Sequence, residues 1–176
     1  MTNGIPRRSG VKPDGLRADE HRVLQPIVEV IYAPLEGVFP GIMAAIEVAG
    51  GDPFWSERDP RMEWYDAPLG LGPYNAFWEV ALAWVYHPVF AGTAGPDQVE
   101  AFFRWLEWMA LSEDPDVVSF MKTELCGRIG NDPAHTTRAL PLMGLRSLEQ
   151  FLDLERYWRS RVVPLIEAEI EARLTT

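Results

Sequence analysis

At 176 residues, with 47% hydrophobic and 24% charged side chains, the chain has enough apolar content to close a core and lies far from the composition of a disordered polypeptide. Its formal net charge of −10 argues against direct nucleic-acid binding, which needs clustered Lys and Arg facing the phosphates. One cysteine, Cys126, excludes an intramolecular disulfide, and no run approaches the ~18 apolar residues of a membrane-spanning helix, so a cytoplasmic setting without membrane attachment is expected.

Residues 1–18 read as a flexible basic tail. Arg7, Arg8, Lys12 and Arg17 against Asp14 give this segment a charge of +3, which leaves −13 on the remainder. No apolar run follows the basic residues as a signal peptide would require. Residues 19–176 read as a single helical domain. Asp19 is a candidate N-cap for a first helix with Val23, Leu24, Ile27, Val30 and Ile31 on its apolar face, interrupted or started by Pro26. A short helix is expected over Pro40–Val48, with Gly50 and Gly51 past its end.

Residues 50–73 carry many Pro, Gly and Asp residues and show no sustained periodicity, which predicts a long loop. Within it Trp55, Trp64 and Tyr65 lie beside Glu57, Asp59, Glu63 and Asp66. Apolar anchors inside an acidic field suit a partner-binding surface. The alternative is that the rings fold back over the core, as large aromatics commonly do.

From Pro73 a helix is expected to run to His87, where Pro88 ends it, with Phe77, Val80, Ala81, Trp84 and Val85 on its buried face. Over 96–111 a second stripe, Val99, Phe102, Phe103, Leu106, Met109 and Ala110, defines another helix. Trp105 and Trp108 project from the middle of that stripe by roughly 120° and 180°, so each needs a second surface, within the domain or on a partner. Asp114 and Pro115 start the next helix, with Val117, Val118, Phe120, Met121 and Leu125 inward. The short connection implies a helical hairpin. Gly127–Pro141 reads as a loop. Ser147 and Gln150 form a candidate capping box for a helix to about Arg159, and Pro164 starts a last helix with Val163, Ile166, Ile170 and Leu174 aligned. The expected fold is therefore all-α, an orthogonal or up-down bundle of about six to seven helices with one long Pro-, Gly- and aromatic-rich loop.

Chemistry-bearing motifs are sparse. His21, His87 and His135 are far apart and Cys126 stands alone, so neither a metal site nor a cofactor site is expected. Cys126, Asp132 and His135 invite a nucleophile reading, but a free cysteine near a helix end is more often buried and inert. GRIGND lacks the spacing of a phosphate-binding loop. No catalytic residue is assigned.

The segments VEAFFRWLEWMALSEDPDVVSFMKTELCGRI and LPLMGLRSLEQFLDLERYW resemble a family of uncharacterised bacterial helical domains, some of which look like immunity proteins encoded beside polymorphic toxins. The resemblance covers about Tyr74 to Trp158 and rests on packing positions. It implies a helical fold and no catalytic residues. The expectation is a non-enzymatic protein that binds a protein partner, a basic toxin domain, using Trp55, Trp64, Tyr65 and Trp108 as anchors. The alternative is a small-molecule-binding protein or an unfamiliar enzyme with an aromatic pocket between helices.

Overall fold

The structure, a computed structural model, describes residues 28–50 and 76–175. Among these residues all regular structure is helical, as the apolar periodicity requires. The elements are α1 (28–32) leading into a 3-10 turn at Ala33–Leu35 and α2 (Ile42–Gly50). There follow α3 (Phe77–Tyr86 continuing through His87–Ala91) and α4 (Pro96–Ala110). Next is α5, built from Pro115–Phe120, Met121–Cys126 and Gly127–Asn131. The chain closes with α6 (Pro133–Ala139), α7 (Leu145–Tyr157) and α8 (Val163–Leu174). Together they form an all-α, multi-helix bundle, and no helix is long and apolar enough to cross a membrane among the described residues. The start of the first predicted helix, the basic tail and residues 51–73 of the predicted loop lie outside the described residues.

One apolar cluster runs from Val28 to Ile166 through every helix in turn. The stripe on α4 is central to it: Phe102, Phe103, Leu106, Met109 and Ala110 are buried. Trp105 is buried too, at 3% exposure. Its indole N–H donates to the Ile31 carbonyl at 2.6 Å, and its ring packs against Tyr32. The second surface that Trp105 needed is thus α1 and the turn after it. Val30 was expected on the buried face of α1 but is half-exposed.

The predicted helix at Pro40–Val48 begins two residues later, because Gly41 has φ +87° and cannot belong to a right-handed helix. The side chain of Glu36 caps it, accepting from the backbone N–H groups of Gly41 at 2.7 Å and Met43 at 2.9 Å. These hydrogen bonds hold the Glu36 carboxyl below its ordinary range.

Two of the helices depart from α geometry. Phe77–Tyr86 and Met121–Cys126 are π-helical, with i→i−5 hydrogen bonds such as His87 N–H to Leu82 O. A wider turn changes which residues share a face. Trp84, expected inward, is 43% exposed, whereas Tyr86 is fully buried. The helix also continues past Pro88 to Ala91, contrary to the expected stop at His87. Pro88 stands in the first turn of the α segment that follows the π turn, where its missing N–H is tolerated. In α5 the same widening places Met121 over Cys126, with Sγ to Sδ at 3.2 Å.

The stretch Gly127–Pro141, expected as a loop, is mostly helix: the end of α5, then α6. Asp132 and Pro133 start α6 as Asp114 and Pro115 start α5. Each carboxylate accepts from the backbone N–H two residues on, at 2.8 Å and 2.9 Å respectively. The expected capping box at Ser147 is absent, because α7 begins two residues earlier at Leu145. Its first turn is capped from α4 instead. The Glu107 carboxylate accepts from Arg146 N–H at 3.0 Å and Ser147 N–H at 2.8 Å, which neutralises orphan donors at the positive end of the helix dipole. On α8, Ile166 is buried but Leu174 is exposed, so the expected four-residue stripe fades outward. Arg173 secures that helix by donating to the carbonyls of Leu140 and Met143 and pairing with Glu169.

Candidate functional site: a groove between the two widened helices

A groove of about 520 Å³ lies where α3, α5 and the start of α6 meet the end of α7, with Trp78, Tyr86, Glu124, Arg128, His135 and Trp158 among its lining residues. Both π segments contribute to it. Trp78 and Tyr86 come from one, Thr123 and Glu124 from the other. Phe77, from the first of them, meets the ring of Phe120, the residue before the second, edge to face at 6.1 Å.

Two half-exposed tryptophans form the walls, Trp78 at 53% and Trp158 at 47%. Trp158 lies across Gly127: a Cβ at that position would sit 2.8 Å from the indole edge. Only glycine lets the ring approach the helix so closely. Trp78 carries the guanidinium of Arg128 over its ring at 4.1 Å, with the rings of Phe77 and Tyr86 at 5.6 Å and 5.8 Å. Such stacking holds an arginine head in place without using its hydrogen-bond donors. Beside it, burial pushes the Glu124 carboxyl above its ordinary range, opposed by the Arg128 charge and by a hydrogen bond with Trp78.

The inner end of the groove is a relay of polar groups. Tyr86 Oη lies 3.1 Å from His135 Nδ1, and His135 Nε2 lies 3.7 Å from Asp132 Oδ2. Burial raises the Tyr86 phenol well above its ordinary range, with the Arg128 charge acting against it. The phenol keeps its proton, and the direction of its hydrogen bond with Nδ1 follows the imidazole tautomer. The ring is also stacked against Phe90, centroid to centroid 4.6 Å.

Of the residues expected to bind a partner, Trp55, Glu57, Asp59, Glu63, Trp64, Tyr65 and Asp66 lie outside the described residues. Trp108 is 40% exposed and stands on α4, away from the groove lining. The trio Cys126, Asp132 and His135 separates: the last two line the groove, while Cys126 is fully buried. Burial pushes its thiol far above the ordinary range, Glu155 adding to the effect and Lys122 opposing it. Among the described residues no three His, Cys, Asp or Glu side chains gather as metal ligands do.

Sequence reasoning missed Trp78, Tyr86, Glu124, Arg128 and Trp158. Glu124 and Arg128 are four apart, a spacing that signals one helix face, but the signal is visible only once residues 127–131 are recognised as helical. Comparison of the chain with protein-family models, with curated proteins and with solved structures gives no match.

Proposed function

We propose that this chain is a non-enzymatic protein that binds a protein partner, acting like an immunity protein on a basic toxin domain. The observation that carries the reading is the pair of half-exposed tryptophans, Trp78 and Trp158, each seated on a fixed neighbour rather than loose in solvent. Trp, Tyr and Arg dominate binding hot spots because they bring large contact area at small entropic cost. The charge of −13 outside the tail would speed encounter with a cationic surface, with affinity left to the aromatic anchors. A cytoplasmic setting belongs to the same reading.

Co-expression with the product of the neighbouring gene tests it. The expected result is relief of toxicity and a complex that survives gel filtration. W78A and W158A together should weaken that complex by about 2 kcal/mol or more. No relief of toxicity and no complex would refute the proposal. A second reading, binding of a small molecule, is favoured by one observation: the guanidinium of Arg128 stands in the groove without a hydrogen-bonded acceptor among the described residues.

A further inference from the structure

Arg128 is an unusual arginine. Its Nε is buried without a hydrogen-bond partner, and its guanidinium is pinned over Trp78 at 4.1 Å. Among the described residues no carboxylate forms an ion pair with it. Two acids share the groove lining, Glu124 and Asp132, and each has another partner. Asp132 is committed to the N–H of Ala134 and to His135, while Glu124 attracts the guanidinium only through space and hydrogen-bonds Trp78. A guanidinium held between aromatic walls with no hydrogen-bonded acceptor among the described residues is a receptor for a planar anion.

We propose that the groove binds a carboxylate attached to a flat apolar group. The carboxylate meets Arg128 end-on, through Nη1 and Nη2, because the buried Nε closes the side-on approach. The apolar group lies against the exposed face of Trp158, the face of Trp78 being occupied by Arg128 itself. A planar carboxylate matches the planar fork with two parallel hydrogen bonds. A tetrahedral dianion would add a second negative charge beside Asp132 and gain no further fixed donor. The volume of about 520 Å³ falls within the usual ~300–1,000 Å³ of small-ligand sites. This inference goes beyond the protein-partner reading and stands independently of it, since the carboxylate can belong to a free small molecule or to the C-terminus of a polypeptide.

The test is a titration of the full chain with benzoate and with benzamide, its neutral isostere, followed by calorimetry and by the indole N–H resonances. Benzoate should bind saturably with a Kd of about 1 mM and shift the Trp78 and Trp158 signals, with benzamide at least about tenfold weaker. R128K should weaken benzoate about tenfold by replacing the fork with a point charge, and R128Q should abolish binding. W84F, outside the groove, should leave it unchanged. R128K retains the charge and the aliphatic stem, so it decides the question even if R128Q unfolds. Equal binding of benzamide, no saturation by ~50 mM benzoate, or wild-type affinity in R128K would overturn the proposal. N-acetyl-glycyl-phenylalanine with a free C-terminus distinguishes the sources: tighter binding than benzoate assigns the carboxylate to a polypeptide end, weaker binding to a small molecule.

Discussion

Glu155 offers a sharp test of the packing beneath the groove. It is 2% exposed on α7, and its Oε1 has no hydrogen-bond partner. The carboxyl presses on the backbone of Gly130, where an added Cβ would lie 2.2 Å from Oε1. Burial raises its pKa from the ordinary 4.5, with a hydrogen bond from Ser160 opposing the shift. A carboxyl whose folded value exceeds its unfolded value supports folding most at low pH. That support is present below about 4.5 and is lost as the pH rises through the folded value. Above both values, each unit of separation costs about 1.4 kcal/mol. Glu155→Gln removes the charge and keeps the shape, at the risk of burying amide donors that find no acceptor, a penalty of about 1–3 kcal/mol that does not vary with pH. The quantity to follow is therefore the slope. Urea unfolding of both proteins from pH 5 to pH 8.5 should show E155Q gaining on the wild type as pH rises, until the wild-type carboxyl is fully ionised in the folded state. Glu124, also raised, tilts both curves equally and cancels in the difference. Parallel curves would mean that the Glu155 carboxylate is comfortably solvated, and the account of its burial would fail.

Glu107→Ala should remove the cap that α4 provides to α7 and lower stability by about 1–2 kcal/mol in chemical denaturation; an unchanged midpoint would show that water replaces the carboxylate without loss. Trp105→Phe keeps the ring in the core but strands the buried Ile31 carbonyl, and should cost about 1–3 kcal/mol by the same assay. Gly127→Ala leaves the helix intact but puts a Cβ at 2.8 Å from Trp158, so the ring must swing outward. Red-shifted tryptophan emission and greater quenching by acrylamide would record that movement, and identical spectra would contradict the seating of Trp158. For Glu36, whose carboxyl is held low by the N–H groups of Gly41 and Met43, support is present above the ordinary glutamate range and is lost as pH falls through the folded value. E36Q should therefore lose stability relative to the wild type at neutral pH and converge with it in acid; a constant gap would rule the cap out as a charged one.

The all-α architecture was legible because burial on one side of a helix writes a 3.6-residue period into the sequence, and α4 carries it cleanly from Phe102 to Ala110. Helix starts at Asp114–Pro115 were equally plain, because the cap chemistry is local. The same pair at Asp132–Pro133 was passed over among the surrounding glycines. Glycine normally signals a break, but Gly127 and Gly130 sit in a helix to admit two large neighbours, Trp158 and Glu155, from elsewhere in the chain. Nothing local announces such a visitor. The start of α7 was misplaced for a related reason: its capping group, Glu107, is 39 residues away from Arg146, whereas a capping box looks only three residues ahead.

The groove was hidden by register. On an α-helix, Phe77 and Trp84 are seven residues apart and nearly share a face, so a reading at 100° per residue places Trp84 inside and Tyr86 outside. The π turn reverses the two, and with Tyr86 turned inward its hydroxyl reaches His135. A π turn is less favourable than an α turn on backbone hydrogen bonding alone, and it persists where side-chain packing outweighs that cost. Here the compensation is visible: Phe77, Tyr86 and Phe120 interlock edge to face, and the guanidinium of Arg128 rests above the rings of Phe77 and Tyr86. The irregular backbone and the groove are therefore two consequences of one packing arrangement. Restoring α geometry in α3 would return Trp84 to the core and take Tyr86 away from His135, removing a wall of the aromatic cradle that holds Arg128.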